Sequence, residues 1–151
     1  MIAISLRPSG RKWGTVSFAS TLHLCPVLDL LTAEVPSHWK DEIRLGLQEA
    51  LVNASKHGNN LDPCKTVLVR FSSMGDRYSW VISDQGVGFR PSPTCQCHPD
   101  EPKLEQSHAV DECGRGLYIL HQIFDEVRWN SQGNELSLCK VTRGRSWLSV
   151  S

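Results

Sequence analysis

The sequence predicts an α+β fold, because strand patterns joined by short turns occur together with one long amphipathic helix pattern. Two β-rich runs, 66–73 and 78–84, flank a polar turn at 74–77, which is typical of an antiparallel hairpin. Between Ile43 and Ala54, apolar side chains recur every three to four residues, which is the spacing of one helix face. We therefore expect a mostly antiparallel sheet with helices packed on one of its faces.

The other elements follow in order along the chain. The long helix is expected to begin after Ser37, a suitable N-cap, and to end at Gly58, a residue type that favours helix termination. After a polar N-terminal segment, the remaining expected elements are a strand at 14–20, a short helix within 27–35, a helix at 114–124, and strands at 126–130 and 135–141. The length of the chain predicts one domain over 1–151.

Composition argues against several classes of function. The 151 residues include 16 basic and 16 acidic side chains, so no net charge attracts nucleic acid or an anionic membrane surface. No apolar run approaches the roughly 20 residues that cross a bilayer, and the N-terminal segment lacks the pattern of a secretory signal. Trp39, Trp80 and Trp129 are not interleaved with basic residues, so core or sheet packing is expected rather than base stacking. We expect a cytoplasmic protein with no direct nucleic-acid or membrane binding, whose six cysteines are reduced thiols.

The long helix carries a stripe of polar side chains. Glu49, Asn53 and His57 follow one another at intervals of four, and Glu42 lies on the same stripe. The Asn53 amide oxygen can bind Mg²⁺, a hard cation that prefers oxygen ligands. The Glu49 carboxylate can accept a proton during phosphoryl transfer. The alternatives are an exposed hydrogen-bonded pair of Glu49 with Asn53, and a His57 that only closes the helix end.

Two glycine-containing motifs follow the hairpin. In DQGVGF, the Asp84 carboxylate can accept a hydrogen bond from an exocyclic amine such as that of adenine, while Gly86 and Gly88 let the backbone approach a flat ligand. In GRGL, at 114–117, the glycines are expected to open a helix, whose free N–H groups and dipole attract phosphate. One end of the expected site thus binds a base, and the other end binds phosphate.

A long segment at 90–113 separates the two glycine motifs. It contains four prolines and shows no helix or strand period, which is typical of a functional loop such as a lid. Cys95, Cys97 and His98, together with Cys113, have the ligand types of a zinc site but not its usual spacing. We therefore expect reduced thiols in a lid.

The order of these motifs matches a known superfamily. Glu-x-x-x-Asn on a helix, a β-hairpin, Asp-x-Gly-x-Gly, a long lid and Gly-x-Gly together resemble the ATPase superfamily that includes gyrase, Hsp90, histidine kinases and MutL. The segment EALVNASKHGN, at 49–59, is similar to a segment of bacterial anti-sigma factors that are serine/threonine-protein kinases, the RsbW and SpoIIAB type. The resemblance covers a core at about 13–141. It implies a two-layer α/β sandwich of the histidine-kinase-like ATPase (Bergerat) type, with helices on one face of the sheet and a long ATP lid.

The resemblance also implies a role for each matching residue. Glu49 would be the catalytic base, Asn53 would hold Mg²⁺ through ATP, and Asp84 would meet the adenine amine. The other residues implied to line ATP are Gly86, Gly88, Gly114, Arg115, Gly116, Leu117 and Asn134. Asn134 stands where many relatives have a threonine that helps to hold adenine. Asp111 and Glu112 stand near the position of an arginine that sporulation-type relatives use for partner contacts, so the partner surface does not transfer.

The leading hypothesis, as the resemblance implies, is an ATP-dependent serine/threonine-protein kinase that acts as an anti-sigma factor. Such a protein sequesters a sigma factor in one state and phosphorylates an anti-anti-sigma (STAS-type) partner in another, with ATP and Mg²⁺ as cofactors and a homodimer as the expected assembly. Two alternatives stay open, a nucleotide-gated protein-binding module without relevant phosphotransfer and the detached ATP-binding domain of a histidine kinase. The second fits less well, since 151 residues leave no room for a helical hairpin with a phosphoacceptor histidine.

Overall fold

The fold is built on a six-stranded sheet that packs against helices. The computed structural model describes residues 2–6, 13–88 and 110–143, and the side chains at 5, 6 and 110–115 are not among the described parts. The strands are β1 (Ala3–Leu6), β2 (Trp13–Ala19), β3 (Thr66–Met74), β4 (Arg77–Ser83), β5 (Glu126–Trp129) and β6 (Glu135–Val141). The helices are α1 (Cys25–Leu31), α2 (Ser37–Val52) and α3 (Val110–Ile123), and a π-helical stretch at Asn53–Gly58, the π segment, continues α2. None of the helices in this described part of the chain has the length and apolar character that crossing a bilayer requires.

The sheet is antiparallel throughout its described strands, in the order β1-β2-β3-β4-β6-β5. Alternation along the strands separates a buried face from an open face, so that Val69 and Ile82, which pair across β3 and β4, are both almost fully buried. The helices cover this buried face with apolar side chains such as Leu47 of α2. The open face carries charged pairs such as Arg77 with Glu126, at 2.9 Å. The predicted α+β fold, with an antiparallel sheet and helices on one face, is confirmed.

Trp80 of β4 connects the sheet to two helical regions. The centroid of its ring lies 5.8 Å from the ring centroid of Phe124, in an edge-on arrangement. Phe124 directly follows α3. The indole nitrogen Nε1 of Trp80 donates a hydrogen bond of 3.1 Å to the carbonyl oxygen of Leu31, the last residue of α1. The indole therefore buries a large apolar surface without leaving its polar group unsatisfied. This one side chain holds β4, α1 and the end of α3 in register.

The C-terminal end of α3 is held by a buried lysine. Lys140 of β6 donates a hydrogen bond of 2.7 Å from Nζ to the carbonyl oxygen of Ile123, the last residue of the helix. A cation at this position satisfies a terminal carbonyl group and interacts favourably with the helix dipole. The same ammonium lies 4.3 Å from the ring centroid of Trp39, near the start of α2. Lys140 thus links β6 to both long helices.

Three elements differ from the sequence-based expectations. β1 pairs with β2 where a polar segment was expected, because a strand of four residues is too short to show a period. The last turn of the long helix is π-helical from Asn53 onward. α3 begins at Val110 rather than at 114, so the expectation that GRGL opens the helix is wrong. Glycine inside a helix costs about 1 kcal/mol, and Gly116 lies where an added Cβ would be in close contact with the side chain of Asn53, as described below.

The greater part of the expected lid lies outside the residues that the structure describes. Positions 90–109 lie outside the described residues, and Cys95, Cys97 and His98 lie there with them. The side chain of Cys113 also lies outside the described parts, although its backbone belongs to α3. In the described part of the chain, no group of three or more histidine, cysteine, aspartate or glutamate side chains could hold a metal ion.

We predict that Gly46→Ala destabilises the protein because α2 and Phe124 are in close contact. An added Cβ would lie 2.5 Å from Cε2 of the Phe124 ring, which is buried and held by Trp80. Such overpacking costs about 1–3 kcal/mol, and the better helix propensity of alanine returns about 1 kcal/mol. The free energy of unfolding, measured by denaturant titration, should fall by about 1 kcal/mol.

The Phe124→Leu background provides the control, because leucine lacks the ring atoms that an alanine at position 46 would meet. There the same glycine-to-alanine change should cost less than in the parent, because the overlap with the ring is gone and only a contact of 3.2 Å with Cδ1 of Ile123 opposes the gain in helix propensity. An equal loss of stability in both backgrounds would show that the contact with Phe124 is not the cause.

Candidate functional site

A cavity of about 280 Å³ opens between the helices and the ends of β4 and β6. Its walls come from the end of α2 and the π segment on one side, and from β4, β6 and the turns that follow or precede them on the other. The residues that line it are Ala50, Asn53, Ala54, His57, Gly58, Asn60, Lys65, Ile82, Asp84, Val87, Gly88, Leu117, Trp129, Gly133 and Leu136. The cavity thus combines apolar walls with a small number of polar groups, as ligand sites commonly do.

The π segment determines which side chains of the long helix reach the cavity. The backbone N–H of Asn59 donates to the carbonyl oxygen of Ala54 at 2.9 Å, five residues earlier, where an α-helix would bond to the fourth. The wider turn changes the direction of the side chains after Asn53. The expected stripe at intervals of four therefore does not continue as an α-helical face, although Asn53 and His57 both line the cavity. Short π-helical stretches are frequent at functional sites.

Asp84 directly follows β4 and is held by the backbone around it. Its own N–H donates to the carbonyl oxygen of Asn134 at 3.0 Å, and its carboxylate oxygen Oδ1 accepts a hydrogen bond of 2.8 Å from the N–H of Gly86. Burial raises the pKa of Asp84, although the hydrogen bond from Gly86 and the charge of Lys65 act in the opposite direction. Asp84 is a half-buried acceptor that faces the cavity.

Two glycines let the π segment and the Asp84 turn touch. A side chain at Gly58 would overlap the Asp84 carboxylate, and a side chain at Gly86 would overlap the carbonyl oxygen of Gly58. Glycine is therefore required at both positions for this close approach. A side chain at Gly88 would likewise overlap the carbonyl oxygen of Gln132, so the DQGVGF turn packs against the loop that leads into β6.

Asn59 is a fully buried residue that the sequence analysis did not identify. Its Oδ1 accepts a hydrogen bond of 2.8 Å from the N–H of Gln85, next to Asp84. Its Nδ2 donates to the hydroxyl of Ser20 at 2.8 Å and to the carbonyl oxygen of Thr66 at 2.9 Å. The buried amide thereby holds the Asp84 turn against β2 and β3. In the sequence, an asparagine after a glycine is typical of a turn. Only its burial in the structure shows that Asn59 holds the Asp84 turn in place.

Next to the cavity, Gly116 of α3 lies close to Glu49 and Asn53; Asn53 lines the cavity, whereas Glu49 and Gly116 are not among its lining residues. A Cβ added at Gly116 would lie 3.3 Å from Nδ2 of Asn53 and 3.5 Å from Oε2 of Glu49. The two polar side chains and the bare backbone of Gly116 thus face one another. Because α3 begins at Val110, Gly114 and Gly116 lie beyond the first four N–H groups, which are the ones left free in an α-helix. The side chain of Arg115 lies outside the described parts.

Asn134 contacts Asp84 through its backbone, whereas its side chain bonds to Asn130. Its side-chain oxygen accepts a hydrogen bond of 2.8 Å from Nδ2 of Asn130, while its carbonyl oxygen accepts from Asp84. With Gly86 and Gly88 it lines a second hollow next to the turn that follows Asp84. Asn134 is thus not among the residues that line the cavity of Asp84 and Asn53, although the two hollows share Val87 and Gly88.

Two further lining residues, Lys65 and Trp129, were not predicted as site residues. Trp129 packs against the core, as expected of it, but it also forms part of the cavity wall. Lys65 precedes β3 and lines the same cavity. Each is separated by 19 or more positions from Asp84 in the sequence, so the spacing of motifs gave no signal for them.

We predict that Asp84→Asn stabilises the protein at neutral pH when no nucleotide is present. The pKa of a buried carboxyl is raised, so ionised Asp84 is less favourable in the folded state than in the unfolded state. The parent should lose stability as the pH rises from the ordinary carboxyl value of 3.8 through the raised pKa, and then level off. Asparagine does not titrate and still offers an oxygen to the N–H of Gly86.

The measurement is the free energy of unfolding of parent and variant between about pH 3 and pH 8, a range that starts below the ordinary carboxyl pKa and ends well above it. The free energy of unfolding of the variant, relative to that of the parent, should increase as the pH rises. A variant that is less stable at neutral pH than at acidic pH, relative to the parent, would contradict the direction of the shift.

The sequence of the chain matches those of a known protein family. Residues 26–140 match the model of the histidine kinase-like ATPase domain. The chain is 31% identical over 108 residues to the serine-protein kinase RsbW of Bacillus subtilis (strain 168), and 32% identical over 108 residues to that of Bacillus velezensis; each match covers 69% of this chain and 66% of the relative. It is also 26% identical over 96 residues to the anti-sigma F factor of Clostridium perfringens (strain SM101 / Type A), which covers 62% of this chain and 64% of that protein. The chain thus matches just under two thirds of the length of these relatives. On the family match, this chain belongs to the histidine kinase-like ATPase domain family.

Proposed function

We propose that the protein is an ATP-dependent serine/threonine-protein kinase that also acts as an anti-sigma factor. It phosphorylates an anti-anti-sigma partner and sequesters a sigma factor, in the cytoplasm and as a homodimer. The names of its relatives support both activities, since some are serine-protein kinases and others are anti-sigma factors. The observation that carries the proposal is that Asn53 and Asp84 line one cavity, while Glu49 lies beside Asn53 against Gly116 of α3.

The residues of the cavity fit a bound nucleotide. Ile82 and Leu136, both buried, supply flat apolar surface suited to a base, and the half-buried Asp84 supplies an acceptor for its amino group. Gly116 leaves open space beside Asn53 and Glu49 that a side chain would fill. The site would thus combine two kinds of chemistry, a single acceptor at Asp84 and a neighbouring amide and carboxylate at Asn53 and Glu49.

Asn53 of the π segment and Glu49 of α2 would have different roles in phosphate transfer. Asn53 would hold Mg²⁺ through its amide oxygen, because this hard cation takes few protein ligands and prefers oxygen. Glu49, one turn earlier, would accept the proton that the serine or threonine hydroxyl of the partner loses. Bound Mg-ATP supplies the phosphoryl group. Asp84 would orient the nucleotide by accepting a hydrogen bond from the adenine amine, which places its phosphates at the end where Glu49 lies.

We predict that Asp84→Asn binds ATP at least about tenfold more weakly than the parent, the loss expected when a hydrogen bond to a charged acceptor is replaced. Calorimetry with Mg-ATP measures the affinity. Asp41→Asn, an exposed change on α2, is the control for a general effect of removing one negative charge and should not weaken binding. Equal affinities for the parent and the Asp84 variant would remove the adenine contact from the proposal.

We predict that Glu49→Gln and Asn53→Ala fail in different ways. A base acts on the acceptor hydroxyl in the transition state, so Glu49→Gln should bind Mg-ATP about as well as the parent but transfer phosphate at least ~100-fold more slowly. Asn53→Ala should weaken Mg²⁺-dependent ATP binding as well, because a metal ligand acts already in the ground state.

The assay is transfer of radiolabelled phosphate to an anti-anti-sigma partner captured from the source cell, run beside equilibrium binding of Mg-ATP. Undiminished transfer by Glu49→Gln would remove the base assignment. If the parent binds a partner in an ATP-dependent way but transfers no phosphate to it, the protein is a nucleotide-gated binding module instead of a kinase.

A further inference from the structure

The cavity contains two opposite charges that face it without pairing with each other. Asp84 lines it from the end of β4, and Lys65 lines it from the start of β3. Among the described residues, the ion pairs within 4.0 Å do not include one between Lys65 and Asp84. Their charges nevertheless interact, since Lys65 acts against the effect of burial on the pKa of Asp84. A group that inserts between them would meet an acceptor on one side and a donor on the other.

The backbone of Lys65 is firmly held. Its N–H donates to the carbonyl oxygen of Asp62 at 3.1 Å, and its carbonyl oxygen accepts from both the N–H and the hydroxyl of Ser20, each at 3.0 Å. The same hydroxyl accepts from the buried amide of Asn59, which also holds the turn after Asp84. One hydrogen-bond network therefore positions the backbone on both sides of the gap. The lysine stem projects from a fixed point beside the acceptor.

The two backbone N–H groups that directly follow Asp84 are already engaged. The N–H of Gly86 donates to Asp84 itself, and the N–H of Gln85 donates to Asn59. The side-chain oxygen of Asn134 accepts from Asn130, and Asn134 is not among the residues that line the main cavity. A purine base with an exocyclic amine presents ring nitrogens on either side of that amine, and these are acceptors that need a donor when they are removed from water. Asp84 is acceptor-only when ionised, so it cannot meet them.

We propose that Lys65 and Asp84 together recognise the base of the nucleotide through hydrogen bonds. The Asp84 carboxylate accepts from the exocyclic amine, and the Lys65 ammonium donates to one of the two ring nitrogens that flank this amine. This inference rests on the proposed nucleotide site and names the part of the nucleotide that the site recognises, an aminopurine edge. The pair thus supplies both an acceptor and a donor for the edge of the base. Lys65 is thus a specificity-determining residue.

The test compares Lys65→Met with the parent by calorimetry against three triphosphates, in the presence of Mg²⁺. These are ATP, 1-deazaadenosine triphosphate and 7-deazaadenosine triphosphate, and each analogue lacks one of the two ring nitrogens. The parent should bind one analogue about tenfold more weakly than ATP, the effect of one hydrogen bond to a charged donor. Lys65→Met should bind ATP about tenfold more weakly and should no longer distinguish it from that analogue. Methionine keeps most of the length of the lysine stem, and circular dichroism checks that the variant is folded.

Lys56→Met is the matched control, because Lys56 is an exposed lysine of the π segment that is not among the cavity-lining residues. It should leave the discrimination between ATP and the analogue unchanged. If Lys65→Met weakens ATP binding but discriminates as the parent does, Lys65 attracts the phosphates only, and the inference is overturned. It is also overturned if Lys65→Met binds ATP as the parent does, or if the parent binds both analogues as well as ATP. Failure of the parent to bind ATP at all would instead overturn the proposed nucleotide site, and this inference with it.

Discussion

The contact between Gly58 and the turn at Asp84 and Gly86 is the constraint on which the site depends. A side chain at Gly86 would overlap the backbone of Gly58, and one at Gly58 would overlap the Asp84 carboxylate, so the end of the π segment and the turn after β4 lie in close contact. The two elements are otherwise fixed by the core, which contains Leu47 of α2 and Trp80 of β4. Their approach therefore sets how far the polar residues of the long helix lie from Asp84, and with that the size of the cavity.

Several features around this contact oppose folding. Burial makes the ionised form of Asp84 unfavourable, and Asn60 and Leu61 adopt left-handed φ angles of 53° and 55°, which cost a residue with a side chain about 1 kcal/mol or more. The hydroxyl of Ser55 is buried and has no hydrogen-bond partner among the described residues. Unfavourable features of this kind concentrate at functional sites, where the surrounding core must stabilise them.

The two ends of the cavity are built by different means. The end at Asp84 depends on hydrogen bonds of the sheet and its turns, since Asn59 and Asn134 both bond to backbone groups there. The end at Glu49 depends on helix packing, because Gly116 brings α3 against α2. Lys140 and Trp80 hold the far end of α3 against the sheet and thereby keep this crossing in place. A change in the core can thus alter one end of the site without touching the other.

The sequence by itself determined the antiparallel hairpin, the long helix and the nature of Asp84, because these follow from side-chain period, turn residues and the order of motifs along the chain. It also brought Glu49 and Asn53 together, since residues four apart on an α-helix are neighbours. Only the tertiary structure decided that the helix becomes π-helical at Asn53, that Gly116 lies inside α3 beside both residues, and that Lys65, Asn59 and Trp129 belong to the site. These features depend on contacts between segments that are distant in the sequence, and the free energy of such contacts, rather than any local preference, selects them.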